Sequence, residues 1–497
     1  MSSITDRLRG IVQGTRPSPI PVVSPELVDR AESDGFRRRL PVESATADLS
    51  AKAPGATAEA IALRISNAAK TLGGHVIERT NGAAIIVDRE YPADAFHGRQ
   101  RIGDLVATLR DGQDAMATMA RAWPKATGIG VVADGGTSTF APGASVDKKV
   151  PPLLFLDLET TGLFGGAGTQ AFLVGCAAID GGAIRVRQFV MPGFEHERMM
   201  LGEVAAWAAA HGGLVTYNGR TFDVPLIETR FLFHRLRFPL GELPHLDMLH
   251  AARRLWRGRA NAAGPDPDDS SCSLAVLEKH LSGLHRIGDV PGYEIPSRYF
   301  QFIRDGDARP LESVLEHNRL DLISLAAVMA RALTLVAQGP RAATGPHECF
   351  GLARLYERAG AHDNAEAAFR RAVDLAQRVG TEPELHADGL RRLAWVRRRT
   401  GRIHEAAEAW SRLAALPRCS AALRREAKEA LAIYHEHRSR DLGTARSFVL
   451  DVLNDGPLGR RREAVEHRLR RLERKLAVRK EGGLVAALDA SLEANSP

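Results

Sequence analysis

The stretch "FLDLETTGL", Phe155 to Leu163, places two carboxylates, Asp157 and Glu159, inside an otherwise apolar run. A short apolar run predicts a buried β-strand, and residues i and i+2 of a strand point to the same side. Two carboxylates side by side in a buried strand repel each other and lose their hydration. The chain must therefore place positive charge between them, either a divalent metal ion, which prefers oxygen ligands, or a pair of arginines.

Two further acids strengthen the case for a metal site. "VTYNGRTFDVPLI" places Asp223 after a predicted strand, at the start of a helix. "LEHNRLDLISLAAV" places Asp321 in an apolar helix, four residues after His317, and positions i and i+4 share a helix face. An aspartate in an apolar helical stripe needs a partner, and a shared metal ion is one. The candidate site is therefore Asp157, Glu159, Asp223 and Asp321, with His317.

These motifs carry a resemblance to a known family. "FLDLETTGL", "TYNGRTFDVPLI" and "HNRLDLISL" resemble the three motifs of the DEDD exonuclease superfamily, which has the ribonuclease H-like fold. Residues 151–335 resemble more closely the YprB-like ribonuclease H-like exonucleases of bacteria. "GGAGTQAFLVG", "HLDMLHAARRLW" and "DVPGYEIPSRYF" add to that likeness. A tetratricopeptide-like C-terminus is what that family often carries.

The resemblance implies a two-metal mechanism. Asp157, Glu159, Asp223 and Asp321 would be catalytic and would hold two Mg²⁺ or Mn²⁺ ions, with Asp157 between them. His317 would be the general base. The chain departs from the superfamily at one point, because members with a catalytic His place it five residues before the last Asp. His317 is four before Asp321, the position of Tyr in other members. The alternative role for His317 is a hydrogen bond to a phosphate or a neighbour.

Weaker candidates surround these residues. Thr160, Thr161, Tyr217 and Asn218 are predicted to bind substrate because they adjoin the acidic strand or end the strand before Asp223. Three glycines either let the backbone approach the terminal nucleotide or only form turns: Gly165, Gly166 and Gly168.

Two residues are predicted to be structural rather than functional. Asp247, which follows a short predicted strand, is either an acid supporting the site or a helix cap, and we favour the cap. His97, in "FHGRQRIG" with Gly98, is a possible site, although a lone histidine is more often structural.

The sequence predicts an α/β ribonuclease H-like mixed sheet with helices on both faces, followed by an all-α tetratricopeptide-like repeat domain. Three strands followed by strand–helix alternation indicate the mixed sheet. Strands are also predicted around the Asn81–Gly82 turn. The predicted divisions are an N-terminal helix with a Pro-rich flexible linker (1–59), a small α/β region of unclear role (60–147), the ribonuclease H-like domain (148–340), basic helical repeats (346–480) and a tail (481–497).

The helical region repeats internally. Gly351 to Ala372 matches Arg392 to Leu413 at an offset of 41, and a weaker third copy contains Ala445. The matched pairs are Gly360 with Gly401, Ala365 with Ala406, and Phe369 with Trp410. The pattern is typical of a tetratricopeptide-type array with a longer period than usual, and the alternative is a helical bundle with accidental similarity.

Charge is unevenly distributed. The net charge is +7, yet residues 391–480 hold 24 Lys and Arg against 11 Asp and Glu, so the rest of the chain is net acidic. This asymmetry indicates a polyanionic partner or, equally, a solvated helical surface. The stretch Gly459 to Lys480 would contact phosphates, or would be a solvated terminal helix.

The remaining features favour a cytoplasmic protein. The N-terminus lacks the apolar segment of a secretory signal. The longest apolar run, Leu322 to Ala337, is shorter than a bilayer requires and contains Arg331, so a buried helix is the better interpretation. The four dispersed cysteines suggest neither disulfides nor zinc.

These features together predict a metal-dependent 3′–5′ exonuclease in the cytoplasm, acting on nucleic acid, with DNA favoured, and not bound to a membrane. The resemblance extends to DNA repair beside a helicase partner docked on the repeats. One alternative is an exoribonuclease that uses the same acids. Another is a catalytically weak scaffold that works through its repeats.

Overall fold

The apolar run around Asp157 forms a central strand. We analysed a computed structural model that describes residues 57–122, 152–162, 168–256, 272–455 and 459–493, the last of them, from residue 480, as backbone only. The helix and most of the linker predicted for residues 1–59 lie outside these ranges, as do Gly165 and Gly166. The strands are β1 His75–Arg79, β2 Gly82–Tyr91, β3 Phe96–His97, β4 Gln100–Arg101, β5 Leu153–Thr160, β6 Ala171–Asp180, β7 Ala183–Val190, β8 Gly213–Thr216 and β9 His245–Asp247.

Seven strands form one mixed sheet in the order β1-β2-β7-β6-β5-β8-β9. The pairs from β1 to β5 are antiparallel, whereas β5, β8 and β9 run parallel. The carboxyl ends of these three parallel strands therefore meet at one edge of the sheet, beside Asp157, Tyr217 and Asp247. The mixed sheet that the sequence predicts is confirmed.

The helices lie on both faces of the sheet and then continue as a helical array. The helices that precede the array are α1 Ala58–Thr71, α2 Ile102–Asp111, α3 Gln113–Ala122, α4 Glu197–Ala208, α5 Asp223–Phe233, α6 Met248–Leu255, α7 Leu274–Leu277, α8 Ile295–Asp305 and α9 Arg309–Gln338. The array comprises α10 Pro346–Arg358, α11 His362–Val379, α12 Pro383–Arg399, α13 Ile403–Ala414, α14 Ala421–His437, α15 Leu442–Asn454 and α16 Arg462–Glu493.

The predicted region 60–147 is not separate from the sheet. Its two strands exist, and Gly82, at a φ of 137° that favours glycine, opens the second. β2 pairs with β7 from Ile85–Val190 to Tyr91–Ile184, so this hairpin extends the sheet by two strands. The predicted boundary at 147/148 lies outside the described residues. The hairpin before it joins the sheet because a strand pairs through its backbone with a distant segment that local sequence cannot indicate.

Helix α9 passes from one core to the other. Its residues Leu311 and Leu315 pack in the core on one face of the sheet, and its residues from Leu322 onward pack in the core on the other. By length and composition this helix could span a bilayer. However, 72% of its most apolar 18-residue stretch is buried in the protein, as expected for the buried helix that the sequence predicts. His317 and Asp321 lie in the part of α9 between the residues that enter the two cores.

The helical array repeats its packing at the predicted positions. Gly360 and Gly401 end their helices at φ 76° and 80°. The small residues Ala365 and Ala406 and the aromatic residues Phe369 and Trp410 are all buried. Stacked helix pairs that bury equivalent faces would give this pattern, and the tetratricopeptide-type assignment stays a prediction. The predicted tail from residue 481 continues α16 as far as Glu493.

Much of the basic charge predicted to contact phosphates is used within the fold. The carboxylate of Glu436 in α14 is buried and contacts Arg468, Arg471 and Lys475 of α16 at 2.6 to 2.9 Å. Burial would raise the pKa of Glu436, but the hydrogen bonds and charges of Arg471 and Lys475 lower it to about 2. Three cations of the stretch Gly459 to Lys480 therefore join the last two layers of the array.

Candidate active site

Asp157 lies in a row of residues across the sheet. It faces Gly175 of β6, which in turn faces Gln188 of β7. Asn318 of α9 lies over this row and donates to Asp157 Oδ2 at 2.8 Å, while its own Oδ1 accepts from Gln188 Nε2 at 2.9 Å. A Cβ at Gly175 would lie 2.0 Å from Asn318 Oδ1. Glycine at 175 thus lets the helix come close enough to orient the carboxylate.

The two carboxylates of β5 lie close to further acids. Burial raises the pKa of Asp157 well above its ordinary value, and the charges of Asp321, Glu159 and Asp223 raise it further. Burial and the charges of Asp321 and Asp223 raise the pKa of Glu159 in the same way. Within the described ranges no Arg, Lys or His side chain forms an ion pair with either residue. The pair of arginines considered above is therefore not found beside this strand.

Asp223 is the first residue of α5 and faces the same cluster. Burial and the charge of Asp247 raise its pKa to about 7. The loop before it is tight, since Asn218 has a φ of 63° and a Cβ at Gly219 would lie 2.8 Å from Asp223 Oδ2. Close approach of this loop therefore places Asp223 at the edge where β5 and β8 end.

Asp247 is both a helix cap and a brace for that loop. Its buried carboxylate accepts from Leu249 N at 3.0 Å, which caps α6. It also accepts from Asn218 N at 2.8 Å and Arg220 N at 3.1 Å. The predicted cap is confirmed, and the same side chain supports the loop that carries Asp223.

We expect Asp247→Ala to destabilise the protein by about 2 kcal/mol, because three backbone N–H groups lose their acceptor. Urea unfolding in EDTA measures this. Asp441→Ala is the matched control, because Asp441 caps α15 at an exposed position through Thr444 N. The control should lose less. Equal losses would show that Asp247 acts as a cap alone.

Asp321 is the acid of the cluster that has a cationic partner. Its Oδ1 accepts from Arg286 Nη2 at 2.5 Å, and its Oδ2 lies 3.7 Å from His317 Nε2. Burial raises its pKa overall, although Arg286 and His317 act in the opposite direction. One carboxylate oxygen is thus held by arginine, and the other faces the histidine.

His317 is oriented by a second acid, Asp289. Its Nδ1 lies 2.7 Å from Asp289 Oδ1. Burial alone would raise the pKa of Asp289, but the hydrogen bond and charge of His317 and the charge of Arg286 lower it overall. An ionised carboxylate only accepts, so in the neutral ring Nδ1 carries the hydrogen and Nε2, on the side of Asp321, has the lone pair. This arrangement suits a general base.

The donor set fits hard divalent ions. Four carboxylates lie on β5, α5 and α9, and the charges of the others raise the pKa of Asp157. Among the described residues, three of the four have no cationic partner, and hard oxygen ligands are what Mg²⁺ and Mn²⁺ prefer. Within the described ranges no three His, Cys, Asp or Glu side chains form a ready-made metal cage. An ion would therefore draw together carboxylates that otherwise repel one another.

The predicted substrate residues make bonds within the chain. Thr160 Oγ1 donates to Gly162 O at 2.7 Å, and Thr161 Oγ1 accepts from Gln170 N at 3.0 Å. Tyr217 Oη donates to Cys272 O, and Asn218 Oδ1 accepts from Thr221 Oγ1. These bonds shape the rim of the site, and binding of substrate by these four residues stays a prediction.

Sequence reasoning missed the residues that orient the acids. Asn318 lies inside the quoted motif "HNRLDLISL" but was given no role, and Arg286 stands in no quoted motif. Asp289 opens "DVPGYEIPSRYF", a motif that contributed to the family resemblance without a role for its first residue. Its pairing with His317 joins positions 28 residues apart, so only the fold brings them together.

Comparisons with known proteins match the part of the chain that carries these residues. A profile of the RNase H superfamily matches residues 154–333, which run from β5 into the second half of α9. The uncharacterized protein YprB of Bacillus subtilis (strain 168) is 31% identical over 330 residues, covering 65% of this chain and 75% of YprB. The matched superfamily range contains all four acids and His317.

Proposed function

The chain belongs to the YprB family within the RNase H superfamily, and from that membership we propose that it is a divalent-metal-dependent 3′–5′ exonuclease that favours DNA. The observation that carries the proposal is the group of four mutually repelling carboxylates at one edge of the sheet. Superfamily membership indicates nuclease activity and nucleic-acid binding. The direction of cleavage and the preference for DNA rest on the resemblance to DEDD exonucleases.

Each residue of the site has a defined task in this proposal. Asp157, Glu159, Asp223 and Asp321 would hold the metal ions, which when bound supply Lewis acidity and neutralise charge at the phosphate. Asn318 holds Asp157, and Arg286 holds Asp321. His317 Nε2 accepts the proton of the attacking water, and Asp289 stabilises the imidazolium that results.

The wider role follows the same resemblance. We propose that the protein works in DNA repair in the cytoplasm, with the helical array as the surface for a helicase or another repair partner. A helical array suits this task because stacked repeats present an extended surface.

One experiment tests the activity and its direction. Full-length protein is incubated with 5′-labelled or 3′-labelled single-stranded DNA, duplex DNA and RNA of the same sequence, with Mg²⁺, Mn²⁺ or EDTA. We expect 5′-labelled DNA to shorten progressively with either ion and not with EDTA, while closed circular DNA stays intact. Faster degradation of RNA would favour the exoribonuclease. Absence of cleavage with both ions would leave a scaffold that works through its repeats.

A further inference from the structure

The hairpin β3–β4 docks on the segment that leads to Arg286. Arg99 N donates to Ser282 O at 2.7 Å, at the end of the π-helical turn Glu278–Ser282 that follows α7. Gly98 has a φ of 59°, and a Cβ there would lie 2.2 Å from Ser282 O. The contact therefore requires glycine at position 98, and it fixes the neighbouring His97 inside the protein.

A chain of buried polar side chains runs from His97 to the acidic cluster. His97 Nε2 lies 2.8 Å from Ser324 Oγ, which donates to Glu278 Oε2. Glu278 accepts from Arg286 Nε at 2.9 Å and from Arg286 Nη2 at 2.7 Å. The same Arg286 Nη2 donates to Asp321 Oδ1. Three segments that are distant in sequence thus converge on one carboxylate of the site.

The bonds in this chain have a single direction. Glu278 as a carboxylate only accepts, so the Ser324 hydroxyl donates to it and is left to accept from His97. The His97 Nε2 therefore carries the hydrogen. Burial lowers the pKa of His97 to about 4, despite the opposing charge of Glu278, so the ring is neutral at pH 7. Glu278 thus accepts from Ser324 on one side and from Arg286 on the other, and Arg286 also donates to Asp321.

We propose that His97 is a positioning residue of the metal site, acting through Ser324 and Glu278 to fix the Arg286 guanidinium against Asp321. This inference rests on the proposed function, because it assigns Asp321 to metal binding. A ligating carboxylate needs a hydrogen-bond partner to hold its orientation, and loss of such a partner typically costs about 10–100-fold in metal affinity.

The burial of the chain argues for a role beyond packing. His97, Ser324 and Glu278 are each at most 5% exposed. Buried polar groups contribute little to stability compared with apolar residues of similar volume, so a chain of them is weak as a stabilising device. What the chain supplies is orientation, since each bond fixes the next group toward Asp321.

The test compares His97→Leu with His97→Gln in the full-length protein. Leucine fills space and removes the donor, whereas glutamine retains an N–H at a similar reach. Titration calorimetry with Mn²⁺ measures the affinity, and thermal melting in EDTA checks the fold. We expect His97→Leu to bind Mn²⁺ about tenfold more weakly and His97→Gln to stay within about threefold of wild type. His211→Leu, at a half-buried histidine whose Nδ1 lies 3.0 Å from the nearby Trp207 O, is the matched control and should bind normally.

A double-mutant cycle separates orientation from general destabilisation. If His97 acts through Arg286, His97→Leu should have no further effect on Mn²⁺ affinity in the Arg286→Gln background. Equal affinity losses from leucine and glutamine at position 97, or additive losses in the double variant, would overturn the proposal.

Ser324→Ala and a prior titration of wild-type protein keep the test decisive if His97→Leu does not fold or if wild type does not bind metal. If His97→Leu does not fold, Ser324→Ala interrupts the same chain by removing one oxygen and should give the same tenfold loss. Normal Mn²⁺ affinity in Ser324→Ala would overturn the proposal. Wild-type protein is titrated first, because failure of wild type to bind Mn²⁺ would refute the proposed function instead.

Discussion

Replacing Asp157 by asparagine is expected to abolish hydrolysis and to raise the melting temperature of the metal-free protein at pH 8. Asparagine keeps an acceptor for Asn318 but removes one of four mutually repelling charges. Activity should fall at least about a thousandfold, as for other residues that are indispensable to a catalytic unit. The gain in stability should appear as a rise in melting temperature, smaller per kcal/mol than the about 2–4 °C typical of 150–250 residues because this chain is longer.

The pH dependence of this gain follows from the direction of the pKa shifts. The folded-state pKa of Asp157 lies above its unfolded value, so between the two the folded state holds more protons and stability falls as pH rises. For Asp223 this window runs from an ordinary aspartate value to about 7. The advantage of Asp157→Asn in EDTA should therefore be small near pH 5 and should grow as the pH rises.

Added metal should reverse the order of the two melting temperatures, so that wild type melts above Asp157→Asn. Mn²⁺ should raise the melting temperature of wild type and affect Asp157→Asn much less, because ions stabilise the state that binds them. Glu242→Gln serves as control, since Glu242 is exposed and pairs with Arg237 away from the cluster. It should keep wild-type activity. A lower melting temperature for Asp157→Asn than for wild type in EDTA at pH 8 would contradict the electrostatic account of the site.

Replacing His317 by glutamine is expected to lower kcat by about 10²–10³-fold, the usual contribution of a general base. Mn²⁺ affinity should stay close to that of wild type, because the proposed ligand is Asp321 and not His317, whose Nε2 lies 3.7 Å from Asp321 Oδ2. Single-turnover cleavage of a labelled oligonucleotide measures the chemical step, and calorimetry measures metal affinity.

Replacing Asp289 by asparagine tests the orientation of His317 in the same cleavage assay. An amide can donate to His317 Nδ1, which would move the ring hydrogen to Nε2 and remove the lone pair that accepts the proton. The rate should therefore fall nearly as far as in His317→Gln. His285→Gln is the matched control on the same loop as Asp289, at an exposed histidine, and should cleave normally. Full activity in His317→Gln would instead leave His317 the hydrogen-bonding role considered from the sequence.

The sequence predicts the strands and helices around the site well, because their signals are local. The strand Leu153–Thr160 follows from its apolar run, and helix Arg309–Gln338 from its apolar face. The helix Ile295–Asp305 was not predicted, since "DVPGYEIPSRYF" was noticed only for its family likeness. The pKa shifts agree that the four acids interact, as expected from their unfavourable placement in apolar segments.

The sequence by itself determined which acids form the site. Two carboxylates are conspicuous in an apolar run, and because side chains alternate along a strand, Asp157 and Glu159 lie on the same face. Only the tertiary structure decided which groups hold those acids. Asn318 reaches Asp157 across 161 positions, and Ser324 meets His97 across 227. Hydrogen-bond partners so far apart depend on the path of the whole chain, whereas propensity and periodicity describe only neighbouring residues.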